Sequence, residues 1–232
     1  VKRTLVICSG GLDSVTLAHR IAAGDGGIAG LLTFDYGQRH RKEIDFARAC
    51  AMRLDVPHEV VDMSDVGARL KSSALTGNKE VPEGHYAAET MQVTVVPNRN
   101  AIMLTIAFAI AAANGIERVA AAMHGGDHFI YPDCRPAFTQ AFQDMQDRAL
   151  EDVARVELHV PFIDWSKTDI AAEAGRLGVP VAETWSCYKG EARHCGRCGT
   201  CVERLEALHE AALPDPTEYE DTTYWRQAVS DR

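Results

Sequence analysis

The sequence predicts an α/β protein, a doubly wound parallel sheet of about five strands, followed by a small C-terminal segment organised around four cysteines. Three observations carry this. Short apolar runs rich in β-branched residues alternate with stretches of helical periodicity, glycines and polar caps fall at the junctions, and Cys187, Cys195, Cys198 and Cys201 crowd together near the end. Strands alternating with helices require a sheet covered on both faces.

In chain order, Thr4 to Cys8 reads as a buried strand and Ile28 to Phe34 as a second, with a helix between them that places Val15, Ala18 and Ala22 on one side. From Arg41 to Leu54, Ile44, Ala47, Ala51 and Leu54 recur at helical spacing before a third strand, Glu59 to Asp62. Met63 to Thr94 breaks the rhythm with Gly67, Gly77, Pro82 and Gly84, and a loop of that length in a compact domain is usually functional or mobile. A helix from Asn100 to Asn114, a strand from Val119 to Met123 and a helix carrying Phe138, Ala141, Phe142 and Met145 on one face follow. Val156 to Val160 supplies the fifth strand. Ser166 and Asp169 form a capping box for the next helix, which Gly178 ends. The arrangement is Rossmann-like, so ligands are expected outside the carboxyl ends of the strands. The expected division is a nucleotide-binding unit over 1–180 and the cysteine segment, a helix from about Cys198 to Ala212 and an acidic tail over 181–232.

Composition narrows the partners. The 232 residues are 46% hydrophobic and 25% charged, enough for a substantial core. The charge of 24 − 33 = −9 offers a polyanion no global attraction, so nucleic acid is not the expected partner. The first apolar run, about five residues, is shorter than a secretion signal needs, and no segment approaches the ~20 apolar residues of a membrane span. A cytoplasmic protein is expected. Reducing conditions and an odd count of seven cysteines argue against disulfides.

Cys8-Ser9-Gly10-Gly11-Leu12-Asp13-Ser14 lies where the first strand hands over to its helix. Paired glycines let the backbone turn sharply, and a helix start leaves amides and partial positive charge for a phosphate. The loop is neither a G-x-x-x-x-G-K-[ST] phosphate loop nor a G-x-G-x-x-G dinucleotide loop. Four cysteines with spacers of seven, two and two suit a closed tetrahedral thiolate cage, in which zinc would be structural. Thiol exchange by a C-x-x-C pair explains only two of the four, and the basic residues nearby are balanced by Glu191, Glu203 and Glu206, leaving no strong basic patch for nucleic acid. His194 is a further candidate ligand. Cys8 and Cys50 read as core residues. Cys134, beside Asp133 and Arg135, reads as a packed thiol, with a nucleophile as the rival.

SGGLDS resembles the pyrophosphate loop of the PP-loop ATPases. Together with FDYGQRHRKEIDFA at 34–47, VPNRN at 96–100, YPDCR at 131–135 and C-x7-C-x2-C-x2-C, it is similar to the 7-cyano-7-deazaguanine synthases of queuosine biosynthesis. Leu12 stands where many relatives have glutamine, and Asn98 where many have glycine. The resemblance implies ATP-dependent conversion of 7-carboxy-7-deazaguanine and ammonia to the nitrile, through activated carboxylate and amide intermediates. It also implies zinc on the four cysteines. Ser9, Gly10, Gly11, Leu12, Asp13 and Ser14 would cradle the phosphates, Asp13 through Mg²⁺. Phe34 and Tyr36 would flank adenine or merely pack at the strand end.

Lys167 resembles the second phosphate-binding lysine of PP-loop enzymes, its alternative being a solvated surface lysine. Arg99 suits a bidentate grip on carboxylate or phosphate. Asp127, Tyr131, Asp133 and Arg135 are candidates to read the deazapurine, while His124 and His128 are proton carriers or loop histidines. No glutamine-hydrolysing domain fits in the chain, so free ammonia is the expected nitrogen source, and a homodimer is the expected assembly. A PP-loop tRNA ligase or thiolase, and a non-catalytic ATP-and-zinc sensor, are the competing functions.

Overall fold

The computed structural model describes residues 2–24, 27–86 and 88–230. β1 (Thr4–Ile7), α1 (Leu12–Ala23), β2 (Ile28–Asp35), α2 (Glu43–Leu54), β3 (His58–Asp62), a single turn α3 (Ser64–Gly67), α4 (Arg99–Ala113), β4 (Arg118–Ala120), α5 (Pro136–Ala149), β5 (Glu157–His159), α6 (Lys167–Leu177), α7 (Gly199–Glu210) and α8 (Tyr224–Ser230) follow in order. The strands form one sheet ordered β3-β2-β1-β4-β5 with every pairing parallel. This is the predicted doubly wound sheet, and its order reverses between β1 and β4, where such sheets open a crevice for ligands.

Period-two alternation builds the two cores. Leu5, Leu32, Phe34 and Val119 face α4 and α5, whereas Val6, Leu31 and Ala120 face α1, α2 and α6. Burial on both faces is why these strands read as continuous apolar runs rather than alternating ones. Among the described residues, no helix is long and apolar enough to cross a membrane.

The helix starts and stops follow local chemistry. Ser166 Oγ accepts from the Asp169 amide, Asp169 Oδ2 accepts from the Ser166 amide, and Gly178 takes a left-handed conformation at φ 65°. Two helical faces differ from expectation. On α5, Ala141 is exposed and Met145 is 45% exposed, while Thr139, Phe142 and Gln146 turn inward and Phe142 meets Phe108 edge-on at 5.3 Å. Gln146 can occupy that stripe because its stem packs in the core, so hydrophobicity alone misplaced the face. On α1, Ala22 is exposed, because the buried stripe between α2 and α6 is filled by Leu12, Val15, Ala18 and Ile21.

The irregular stretch after β3 is tied down rather than loose. Ala74 donates to the Val93 carbonyl at 2.8 Å and Ser73 Oγ to that of Thr94 at 2.9 Å, with Leu75 and Met91 buried. Ala74 and Val81 pack directly on the cysteine segment. That segment is in turn anchored by Arg204 on α7, fully buried, which donates to Thr184 Oγ1 at 2.6 Å, the Val181 carbonyl at 2.9 Å and Thr217 Oγ1 at 2.9 Å, and pairs with Asp215. A buried guanidinium with this many acceptors holds both ends of the segment in register.

Candidate active site

β1 delivers the glycine loop to the crevice. At Gly10 the backbone has φ +88°, and a Cβ there would lie 2.2 Å from the Glu43 carbonyl oxygen and 2.8 Å from the Ala47 amide. Only glycine lets the loop press this closely against α2. Gly11 caps α1 with no side-chain hydrogen bond, so the first-turn amides remain available to an anion. Ser14 Oγ accepts from the Ser9 amide at 3.1 Å, donates to the Gly11 carbonyl at 3.1 Å and lies 3.2 Å from Ser9 Oγ. Ser9, Gly11, Leu12, Asp13 and Ser14 line the cleft, as do Phe34 and Tyr36 from the end of β2, whereas Gly10 lies behind the turn.

Beside the loop sits a buried charge network drawn from four distant parts of the chain. Lys167 Nζ is 2.6 Å from Asp13 Oδ2 and 3.5 Å from Glu203 Oε2. His124 Nδ1 accepts from the Gly126 amide at 3.1 Å, which leaves Nε2 to carry the proton facing Asp13 at 3.8 Å and Asp127 at 3.6 Å. Burial works against the Asp13 carboxylate, but Lys167 and His124 hold it below the usual range. Burial likewise opposes the Lys167 ammonium, yet Asp13 and Glu203 keep it above its ordinary value, so it stays charged. Burial pushes the Glu203 carboxyl up against the pull of Lys167. Asp13 Oδ1 is buried with no hydrogen-bond partner among the described residues, an acceptor left open for a cation. Lys167 is therefore no solvated surface lysine.

The opposite wall is formed by Arg99 and aromatic rings. Asn98 precedes α4 at φ 56°, ψ 18°, a left-handed conformation that glycine and asparagine tolerate best, which accounts for an asparagine at this position. Arg99 reaches the cleft, its Nη1 3.4 Å from the Tyr36 hydroxyl, and no acid among the described residues pairs with it. Tyr131 lines the cleft with its hydroxyl 2.7 Å from Thr94 Oγ1, and Tyr86 OH donates to Asp127 Oδ1 at 2.9 Å.

Asp133 and Arg135 do not reach the cleft. The turn through Pro132–Cys134 directs Asp133 Oδ2 onto the Asn100 amide at 3.0 Å, capping α4, and sends Arg135 outward to the His128 carbonyl at 2.8 Å. Cys134 is buried with Asn100 Nδ2 3.1 Å from its sulfur, and burial pushes the thiol up, as suits a packed residue rather than a nucleophile. Glu203, Glu43, His40 and Tyr188 also line the cleft and were not singled out from the sequence. Glu43 and His40 lay inside the FDYGQRHRKEIDFA string, whereas nothing in the sequence marks Glu203.

Cys187, Cys195, Cys198 and Cys201 are buried, and their sulfurs all lie within 4.8 Å of one another, a set able to hold one metal ion. The Cys195 amide is 3.4 Å from Cys187 Sγ, and the Cys198 amide 3.2 Å from Cys195 Sγ, as thiolates require. His194 is not a fifth ligand: its Nε2 accepts from the Ser186 amide at 3.1 Å, and burial pushes its pKa down to about 3. All seven cysteines are free. The knot touches the chemistry at two points, because the Trp185 amide donates to the Gly10 carbonyl at 2.8 Å and α7 carries Glu203 to Lys167.

The family model for queuosine biosynthesis protein QueC matches residues 3–212. A 7-cyano-7-deazaguanine synthase from Paracoccus denitrificans is 66% identical over 230 residues, 99% of this chain and 98% of its own length. Those of Rhizobium meliloti and Brucella ovis are 65% and 61% identical, covering 98% and 99% of this chain and 96% and 99% of their own. Solved structures are more distant: a predicted subunit of tRNA methyltransferase from Methanocaldococcus jannaschii matches with a TM-score of 0.49 at 14% identity, over 75% of each chain. With its loop, charge network and cysteine knot in place across a full-length match, the chain belongs to the QueC family of queuosine biosynthesis proteins.

Proposed function

We propose that this chain is an ATP-dependent synthase that converts 7-carboxy-7-deazaguanine and ammonia into 7-cyano-7-deazaguanine. Its main support is the meeting in one cleft of three things: the uncapped amide turn, the Lys167–Asp13 pair and Arg99, which forms no ion pair among the described residues. The family relatives are named for this product. A tRNA ligase or thiolase built on the same loop has no support among those names.

A carboxylate is a poor electrophile, and its oxygen leaves badly. Transfer of a phosphoryl or adenylyl group from ATP remedies both, once on the acid to give the amide and once on the amide to give the nitrile. The α1 amides with Ser9 and Ser14 would bind phosphate oxygens, and Lys167 would offset charge that develops on the leaving group. Asp13 Oδ1 fits Mg²⁺, which when bound would neutralise phosphate charge beside it. Arg99 would hold an anionic oxygen of the substrates bidentately. Glu203 and His124 keep Lys167 and Asp13 in place.

Four thiolates with no further donor suit Zn²⁺ in a structural role, bracing Trp185 and α7 against the loop. On this assignment, residues 1–180 bind nucleotide and 181–232 close the cleft around the metal. Free buried thiols and a negative chain favour a reducing cytoplasmic setting and small-molecule partners. Incubation with 7-carboxy-7-deazaguanine, ammonium and Mg-ATP should yield the nitrile by mass spectrometry. Release of the amide alone, or ATP consumption that ignores the deazapurine, would refute the proposal.

A further inference from the structure

Two buried polar side chains in the cleft wall take no part in the phosphate chemistry. His40 is 3% exposed and Glu43 8% exposed, and both line the cleft. His40 Nε2 faces Glu43 Oε2 at 3.5 Å, and His40 Nδ1 is buried with no hydrogen-bond partner among the described residues. Glu43 Oε1 receives one bond, from Gln38 Nε2 at 2.9 Å, and Gln38 is itself fixed by the Tyr36 amide at 2.9 Å and the Phe34 carbonyl at 3.2 Å. The carboxyl thus has unused acceptor capacity in a place water reaches poorly, a costly arrangement unless a ligand completes it.

We infer that Glu43 and His40 read the 2-amino-4-oxopyrimidine edge of the deazapurine, a specificity subsite that rests on the proposed function. Ligand and wall match in the kinds of group they offer. Round the edge of 7-carboxy-7-deazaguanine the groups run amino N–H, ring N–H, carbonyl oxygen, then carboxylate: two donors, an acceptor and an anion. The same wall offers the acceptors Glu43 and His40 and, within electrostatic reach of both, the Arg99 cation. A carboxylate takes two parallel N–H donors side by side, while a guanidinium suits a carbonyl and a carboxylate. Adenine offers an N–H beside a bare ring nitrogen and no anion, so it matches this set of groups less well. The position also fits, because the Glu43 carbonyl is the atom against which Gly10 packs, next to the phosphate turn. Burial pushes the Glu43 carboxyl up to about 8 despite Gln38 and Arg99, the behaviour of an acid short of donors.

Equilibrium binding by calorimetry tests this with three ligands: 7-carboxy-7-deazaguanine, the same compound without its 2-amino group, and Mg-ATP. The intact protein should favour the 2-amino compound by about 10- to 100-fold. Glu43→Gln should lose most of that preference, bringing the two deazapurines within about threefold of each other, with Mg-ATP binding unchanged. A merely structural role would weaken both deazapurines equally. If Glu43→Gln does not fold, His40→Gln, which keeps a group near Nε2 and removes the Nδ1 acceptor, should show the same narrowing. Undiminished preference, failure of the intact protein to bind the 2-amino compound, or a selective loss of Mg-ATP affinity that marks an adenine site, overturns the inference. Selective binding without nitrile formation would retain the subsite and reject the reaction.

Discussion

Gly10→Ala tests whether the loop is shaped by its contact with α2. An alanine at φ +88° carries a backbone cost of about 1–2 kcal/mol. Its Cβ would also sit 2.2 Å from the Glu43 carbonyl oxygen and 2.8 Å from the Ala47 amide. Both are backbone atoms, which no rotamer change can move aside, and relieving such overpacking costs about 1–3 kcal/mol more. Gly37 provides the control, since it has φ +72° but a Cβ added there would meet nothing within 4 Å. Urea unfolding should therefore place Gly37→Ala about 1–2 kcal/mol below the natural protein and Gly10→Ala a further 1–3 kcal/mol below that. Nucleotide affinity should fall only in Gly10→Ala, whose turn is displaced. Equal losses of stability in the two variants would show that the loop and α2 are not in the described contact.

Lys167→Met removes the ammonium that lies against both Asp13 and Glu203, so kcat should fall at least about 100-fold with deazapurine binding little changed; a variant with near-normal kcat would remove Lys167 from the mechanism. Cys198→Ser should abolish stoichiometric metal in the purified protein and shift Trp185 emission to the red, because Trp185 packs within the knot; full metal retention would contradict the four-thiolate assignment. Glu43 has a folded pKa near 8, above its ordinary 4.5, so its stabilising protonation is complete below 4.5 and lost as pH rises through 8. His40 and His194, held neutral by burial, work in the opposite direction only below about 6.5. Between pH 6.5 and 8, then, the natural protein should lose up to about 2 kcal/mol that Glu43→Gln does not; parallel stability curves over that window would refute the assignment.

What was legible in the sequence was what local chemistry dictates. β-branched runs marked all five strands, Ser166 and Asp169 marked the start of α6, and SGGLDS marked the phosphate turn, because each depends on neighbours within a few residues. β4 proved shorter than its apolar run, since beyond Ala121, whose amide still bonds the His159 carbonyl, Ala122 and Met123 turn to line the cleft, and β5 is shorter by one residue at each end. Contacts that span the chain were not legible. Glu203 reaches Lys167 only because the cysteine knot folds α7 across the cleft, and a glutamate on a charged helix carries no mark of that. Asp133 and Arg135 share the YPDCR string with Tyr131, yet one tight turn separates their fates: Tyr131 enters the cleft, Asp133 caps α4 and Arg135 faces solvent. Nothing in the local sequence around Asn98 announced its left-handed backbone, which is why asparagine serves there.

If ATP removes both oxygens of an inert carboxylate in this cleft, those oxygens have one destination. Labelling the two with the heavy isotope and following them through one complete turnover reads that destination without an intermediary. Both should arrive on the phosphorus of the nucleotide or phosphate products, two for every nitrile formed. Label recovered in water, or none transferred to phosphorus while nitrile accumulates, would contradict it.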